Sequence, residues 1–464
     1  MVGGISPFPT GCLTNQTGSN WLNGPVEPYV AVDPNRPDHV VGVWQQDRWT
    51  NGGANGNMAA VSLDGGRTWT ASFASFSICS GGTWERASDP WVGIAPDGTA
   101  HQAALGVNGA GLQTSVLVSR SADGGFTWSI PIVIDRDNLG GDDKESLATD
   151  PTDARYVYVV WDRTSTNPIS AWFSRSQDYG MTYEPGRIIY DPGPGGYATA
   201  NQIVVLPDGM LVDVFVLSSA NQSNVAVIRS SDHGVTWSTP IVVAADETVG
   251  TVDPKTQKSI RSGAGIPSAA VDPASGAIYV VWSDARFSGR QRDGIALAKS
   301  LDGGATWSAP VQVNQATNVQ AFTPAVAAGP GGVAVTYYDF RQDTPDPGSL
   351  LTNYWRVVST DGGATFRETP VAGPFDLLSA PRVTGGVPFL GDYQSLTAAG
   401  NGFLAFFVAA NTGNGANPSS VLADSSERAG STRTTNLRTE VNLHPRPYSP
   451  VEKPEPKKRR NLLH

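Results

Sequence analysis

The chain has 464 residues, of which 16% are charged and 39% apolar, with 52 Gly, 34 Pro and a net charge of −10. That balance describes a turn-rich globular protein with enough apolar residues for a large core. It argues against a nucleic-acid binder working through a general basic surface, and no apolar run approaches a membrane span.

Residues 1–26 are rich in Pro, Gly and Asn and read as an extended arm. Cys12 and Cys79 are the only cysteines; they either pair, which would suit an oxidising compartment, or remain buried thiols. Asn15-Gln16-Thr17 and Asn221-Gln222-Ser223 fit glycosylation acceptors, a short pattern that also arises by chance. Met1-Val2-Gly3-Gly4 lacks the basic and apolar regions of a signal peptide, which leaves a cytosolic chain or a mature secreted one.

Four short strands are predicted next: Glu27–Val32, His39–Trp44, Met58–Val61 and one from Thr68, with turn residues between them. This is an antiparallel meander, the unit of a propeller blade. Further first strands are predicted to begin near Pro90, Ser146, Gln202, Pro267, Pro324 and Gln394. Apolar second strands follow at Val157–Trp161, Met210–Val216, Ile278–Trp282 and Val333–Tyr337. No amphipathic helical pattern competes, so the fold class is all-β.

One phrase punctuates the repeats. It reads SLDGGRTW at Ser62–Trp69 and returns at Ser121–Trp128, Ser176–Tyr183, Ser230–Trp237, Ser300–Trp307 and Ser359–Phe366. Its Asp residues, 64, 123, 178, 232, 302 and 361, lie 54 to 70 positions apart, the spacing of a repeat architecture. Asp accepts from backbone N–H groups of the turn, Gly permits positive φ, and the aromatic anchors the layers. These acids therefore read as structural.

Seven strand starts stand against six such phrases, because the unit from Gln394 ends near Ala423 without one. The preferred reading is a single propeller over residues 1–424, with seven four-stranded antiparallel blades and the N-terminal arm closing the ring; six blades is the alternative. Residues 425–464 carry nine Lys/Arg against four Asp/Glu, ending in Lys457-Lys458-Arg459-Arg460. They read as a basic, solvated tail, which leaves −15 on the remainder.

The phrase Ser-x-Asp-x-Gly-x-Thr-Trp is that of the Asp-box, or bacterial neuraminidase repeat. Over residues 27–424 the chain resembles the sialidase-like superfamily of β-propellers. The resemblance implies a secreted or cell-surface protein directed at a glycan or other extracellular ligand. It is expected to be monomeric, without nucleic acid, membrane span or cofactor. Fold alone does not fix activity.

Sialidase chemistry needs three Arg for a carboxylate, a Tyr nucleophile, a Glu to activate it and an Asp acid/base. Tyr393-Gln394-Ser395-Leu396 matches the family's Tyr context, and Arg292 stands eight residues before Ser300. Val26-Glu27-Pro28-Tyr29 puts an acid where the first Arg belongs, Ala200 and Val216 occupy the Glu and second-Arg places, and Gly52–Asn57 offers no acid. Asp293 is placed similarly before a different repeat.

Two readings stay open: a glycoside hydrolase with a divergent site, or a non-catalytic glycan- or protein-binding propeller. The catalytic candidates are Tyr393, Asp293 and Glu145, and the ligand-binding candidates are Arg86, Arg261, Arg292, Arg48, Arg286 and Asp392. First-strand entrances add Glu27, Asp89, Lys144, Gln202 and Gln320. Asp47-Arg48, Asp284-Ala285-Arg286 and Asp339-Phe340-Arg341 recur at strand ends and read as structural ion pairs. The five His show no metal-ligand spacing; Asp142, Asp143 and Glu145 offer Ca²⁺ oxygen ligands, with a solvated loop the plainer reading.

Overall fold

The computed structural model describes residues 1–109, 112–220 and 222–426. The 427–464 part of the basic tail and Asn221 of the second acceptor triplet lie outside the described residues. The described chain is all-β apart from short 3₁₀ turns at Ile78–Ser80, Arg286–Ser288 and Leu377–Ser379.

The first meander comprises Val26–Asp33, Arg36–Trp49, Ala54–Ser62 and Thr70–Ser72. The second comprises Arg86–Ile94, Ala100–Asn108, Gln113–Ser121 and Ile132–Asp137, bridged to the first by Ala54 and Ala87. Separate four-stranded antiparallel sheets then start at Asp142, Tyr197, Ser268 and Ala321. The last sheet, Ser395–Ala399, Gly402–Ala410 and Ser419–Ser425, has three strands. Val2 N donates to Val421 O at 2.8 Å, and Val421 N donates to Gly3 O at 2.8 Å, so the arm runs beside its outer strand.

The first strand of each sheet packs on the first strand of the next, and Ser395–Ala399 packs on Val26–Asp33. Second strands lie in the middle of their sheets with both faces covered. Ile278–Asp284 (IYVVWSD) and Gly402–Ala410 (GFLAFFVAA) are buried throughout, which is why they read as unbroken apolar runs. The second strand of the sheet from Tyr197 begins at Leu211, one residue after the expected Met210.

Each repeated phrase forms the same clasp. Asp302 Oδ1 accepts from Thr306 N and Ser300 Oγ, both at 2.8 Å, and Oδ2 accepts from Thr306 Oγ1 at 2.6 Å. Ser300 Oγ accepts from Gly304 N at 2.8 Å, where φ is +82°. The same Ser, Asp and Thr bonds recur at Asp64, Asp123, Asp178, Asp232 and Asp361.

Each clasp also meets a neighbouring sheet. His39 Nε2 contacts Gly124 O at 2.8 Å, Arg175 Nη1 donates to His233 O at 2.6 Å, and Lys299 Nζ donates to Gly362 O at 2.6 Å. The last sheet lacks a clasp. There Arg356 Nη1 reaches Asp424 Oδ2 at 3.0 Å instead.

Cys12 and Cys79 form a disulfide, which ties the arm to the segment following the first meander. Five first strands carry a bulge at one place, between Val26 and Tyr29, Ser88 and Trp91, Asp143 and Ser146, Thr199 and Gln202, and Phe322 and Ala325. The first bulged residue has positive φ without being glycine: Glu27 +52°, Asp89 +44°, Lys144 +53°, Ala200 +58° and Thr323 +50°. L-residues resist this conformation, so five equivalent occurrences mark a demanded backbone turn.

Candidate functional site at the channel mouth

The bulges bring side chains of different sheets together. Lys144 Nζ donates to Asp392 Oδ2 at 2.7 Å and lies 3.6 Å from Asp89 Oδ2. Arg261 clamps Asp392 with Nε to Oδ1 at 2.9 Å and Nη2 to Oδ2 at 2.5 Å, the paired geometry a planar guanidinium offers a carboxylate. Glu27 Oε1 accepts from Asp392 N at 3.3 Å, and Gln45 Nε2 donates to Glu27 Oε2. Asp89 Oδ1 accepts from Ser88 Oγ at 2.7 Å.

The acids respond differently. Burial and the nearby Asp89 push Glu27 up to about 7. Burial also opposes ionisation of Asp392, but the Lys144 and Arg261 charges outweigh it and hold Asp392 well below the carboxylate range. Glu145 is driven far up by burial and Asp89, and neither of its carboxylate oxygens has a side-chain or backbone partner among the described residues.

Phe389 is a platform for two cations. Arg261 lies 4.7 Å and Arg48 5.3 Å from its ring centroid. Arg48 is 4% exposed; Nη1 donates to Gly53 O at 2.9 Å, while Nε has no partner among the described residues. Burial, then Arg261, depresses its proton affinity, against the pull of Glu27. Both guanidiniums line a cleft of about 430 Å³ whose walls include Thr50, Asn51, Ser259 and Thr384.

Beneath this layer the channel narrows to about 40 Å³ between Lys144, Glu145, Asn201, Trp91 and Tyr393. Tyr29 stacks on Trp91 at 3.6 Å, and Tyr393 meets Trp91 edge-on at 5.5 Å. Tyr393 Oη donates to Pro90 O at 3.3 Å. Burial, Glu27 and Asp89 raise the phenol far above its usual range, so it is a hydrogen-bond donor here and not a phenolate.

Of the sequence candidates, Tyr393, Glu145, Arg261, Arg48 and Asp392 meet around this channel. The others point elsewhere. Arg86 is fully engaged by Gln16 Oε1, Asn51 Oδ1, Gly52 O and Thr17 O and lies 4.4 Å over Trp49, which fastens the arm. Arg292 donates to Thr317 O and lines none of the three cavities described for the molecule. Asp293 accepts from Thr248 Oγ1 and Val249 N, holding the 248–250 loop. Gln320 binds the same region through Val252 N and Gly250 O.

Arg286 pairs with Asp284, and Arg341 with Asp339, as the recurrence predicts. Arg48 departs from that pattern. Asp47 is taken by Ser6 Oγ, Asn23 N and Asn55 Nδ2, which leaves Arg48 for the cleft. The Asp142 carboxylate turns to Arg163 at 2.9 Å, and no group of three His, Cys, Asp or Glu suited to a metal occurs among the described residues. Phe389 and the Tyr29–Trp91 stack were not singled out from sequence. The Pro following Glu27 and Asp89 at matching places was the available signal.

No protein-family model matches the chain, and no curated protein matches it. Among solved structures it is similar to a protein of unknown function from Dyadobacter fermentans, at 15% identity and TM-score 0.48, over 77% of this chain and 98% of that one. It is similar to a Hadza microbial sialidase at 16% identity and TM-score 0.47, over 80% and 73%. A third is the Penicillium chrysogenum alpha-L-arabinanase complexed with arabinobiose, at 13% identity and TM-score 0.46, over 91% and 98%.

Proposed function

We propose that residues 1–424 form one seven-bladed propeller, closed by the N-terminal arm, that works outside the cell as a monomer binding a carboxylate-bearing saccharide in the cleft over Arg48 and Arg261. The circuit of first strands and the Val2 and Gly3 bonds to Val421 support the count and the closure. The Cys12–Cys79 disulfide fits an oxidising compartment.

The observation that carries the ligand reading is Arg48, a buried guanidinium with an unpartnered Nε at the wall of an open cleft. Burying the Arg48 charge is costly, and a carboxylate arriving in the cleft supplies a countercharge to it and to Arg261. Arg261 is 42% exposed and adds a second positive group, while hydroxyl and amide side chains offer contacts to sugar hydroxyls.

A hydrolytic reading has its own support. Glu27, near 7, and Asp392, well below the carboxylate range, form the kind of split pair that acid/base chemistry uses. Arg261 covers Asp392 from the cleft and the buried Gln45 holds Glu27, so binding is the primary reading.

Titration calorimetry with galacturonic acid, sialic acid and their oligosaccharides tests it. Arg48→Ala should weaken binding by ~100-fold, the worth of a buried charged pair. Saturable binding without turnover of fluorogenic glycosides supports a binding protein. Turnover abolished by Glu27→Gln makes it a hydrolase, and failure of every acidic sugar to bind ends the ligand reading.

A further inference from the structure

The channel has a second mouth, and its chemistry is the opposite of the first. The largest cavity of the three described, about 540 Å³, opens at the far ends of the first strands behind a rim of exposed Pro151, Pro207 and Pro273. Among the described residues, no charged one lines it. The neck of about 40 Å³, with Lys144 and Asp392 bonded across it, separates it from the arginine cleft. A volume of this size is typical of small-molecule sites, whereas the neck has room for one or two waters.

The lining carries unused hydrogen-bonding capacity. Ser268 Oγ accepts from Val326 N and Ser395 Oγ accepts from Val30 N, both at 3.2 Å. Each hydroxyl proton is left without a protein acceptor among the described residues. Tyr29, beside Gln202, adds a phenol and an aromatic edge. Ala270, Ala325 and Ala327 add methyls to the lining, and Gln202, Gln394, Thr152 and Thr397 add further polar groups.

We infer that this second mouth is a binding site for a short neutral saccharide, independent of the arginine cleft. A pyranose has a hydroxyl edge and C–H faces, which match a cavity where the Ser268 and Ser395 hydroxyls stand among the methyls of Ala270, Ala325 and Ala327. An ionic ligand would lose hydration here with no countercharge to replace it. A purely apolar ligand would strand the Ser268 and Ser395 protons.

The test uses the full chain with lactose, cellobiose and maltose as neutral probes and galacturonic acid as the anionic one, read by saturation-transfer NMR and calorimetry. A neutral disaccharide should bind, and Ala270→Trp, which fills the cavity from a partly exposed position, should weaken it at least ~10-fold. Ser268→Ala should weaken it severalfold while lowering the melting temperature by only ~1–3 °C, the loss of the acceptor for Val326 N, which guards against misfolding of the Trp variant. Arg48→Ala should leave neutral-sugar binding unchanged even where it abolishes galacturonic acid binding. The inference is overturned if no neutral disaccharide saturates, if both cavity variants bind like the parent, or if Arg48→Ala removes the neutral sugar.

Discussion

Replacing Asp392 by Asn isolates what the charge cluster contributes. The side chain is 5% exposed and accepts from Lys144 and Arg261, while Asn removes the charge and keeps the shape. Breaking a buried ion pair costs ~3–5 kcal/mol, because the partner is stranded. Arg261, at 42% exposure, can turn to water, whereas Lys144 at 17% keeps only Asp89 at 3.6 Å. The lower end, ~3 kcal/mol, is therefore expected. An unfolding entropy of about 2.1 cal/mol/K per residue over roughly 420 residues gives ~0.9 kcal/mol/K, so the melting temperature should fall by ~3 °C. Scanning calorimetry reads this directly. Lys144→Met combined with Asp392→Asn should recover part of the loss, since Lys144 is then no longer stranded while Asp89 loses its cation. A fall below ~1 °C, or a double variant worse than the two losses added, would refute the cluster as drawn.

Three further outcomes are expected. Serine at both Cys12 and Cys79 reopens a loop of 67 residues and should cost about 4 kcal/mol by loop-closure entropy, seen in the denaturant midpoint and in faster proteolysis of the arm. Burial raises Glu27 to about 7 and Asp142 and Asp246 to about 6, and drives Glu145, Asp162 and Asp213 up as well. Raised carboxyls stabilise fully below the unfolded value near ~4 and lose that contribution as pH climbs through the folded values, so melting temperature should decline from pH ~5 to ~8. A flat profile would contradict it. Arg356→Ala removes the ion pair that stands in for a clasp and should cost roughly 1 kcal/mol, with amide exchange accelerating first in Gly402–Ala410 and Ser419–Ser425.

Much of the architecture was legible because it repeats. The clasp phrase, the apolar second strands and the missing seventh clasp are all periodic facts, and the strand starts near Pro90, Ser146, Gln202 and Pro324 fall within the observed first strands or at their bulges. The site is what breaks the period, which is why it was only half legible. Arg48 and Arg286 look alike in sequence, each ending a second strand beside an Asp. They differ because the arm, through Ser6 and Asn23, draws Asp47 away from Arg48. Arg292 and Asp293 sit at a plausible spacing from Ser300, yet their loop turns them to Thr317 and to Thr248. Spacing along the chain does not encode that turn.

The five bulges with positive φ have a consequence for how this mouth can change. The same backbone turn holds Glu27, Asp89, Lys144, Ala200 and Thr323, so the turn does not depend on which side chain it presents. Those positions behave as interchangeable seats around a rim, fixed in space by the strands below and free in identity above. Replacing the occupant of one seat rewrites the charge of the channel without changing the backbone turn, and its cost is set by the side-chain partners it leaves behind. Ala200 and Thr323 are the uncharged seats: Ala200 is partly exposed, whereas Thr323 is buried and donates Oγ1 to Ser262 O at 2.8 Å, so a polar replacement at Ala200 alters the neck at the smaller cost in stability.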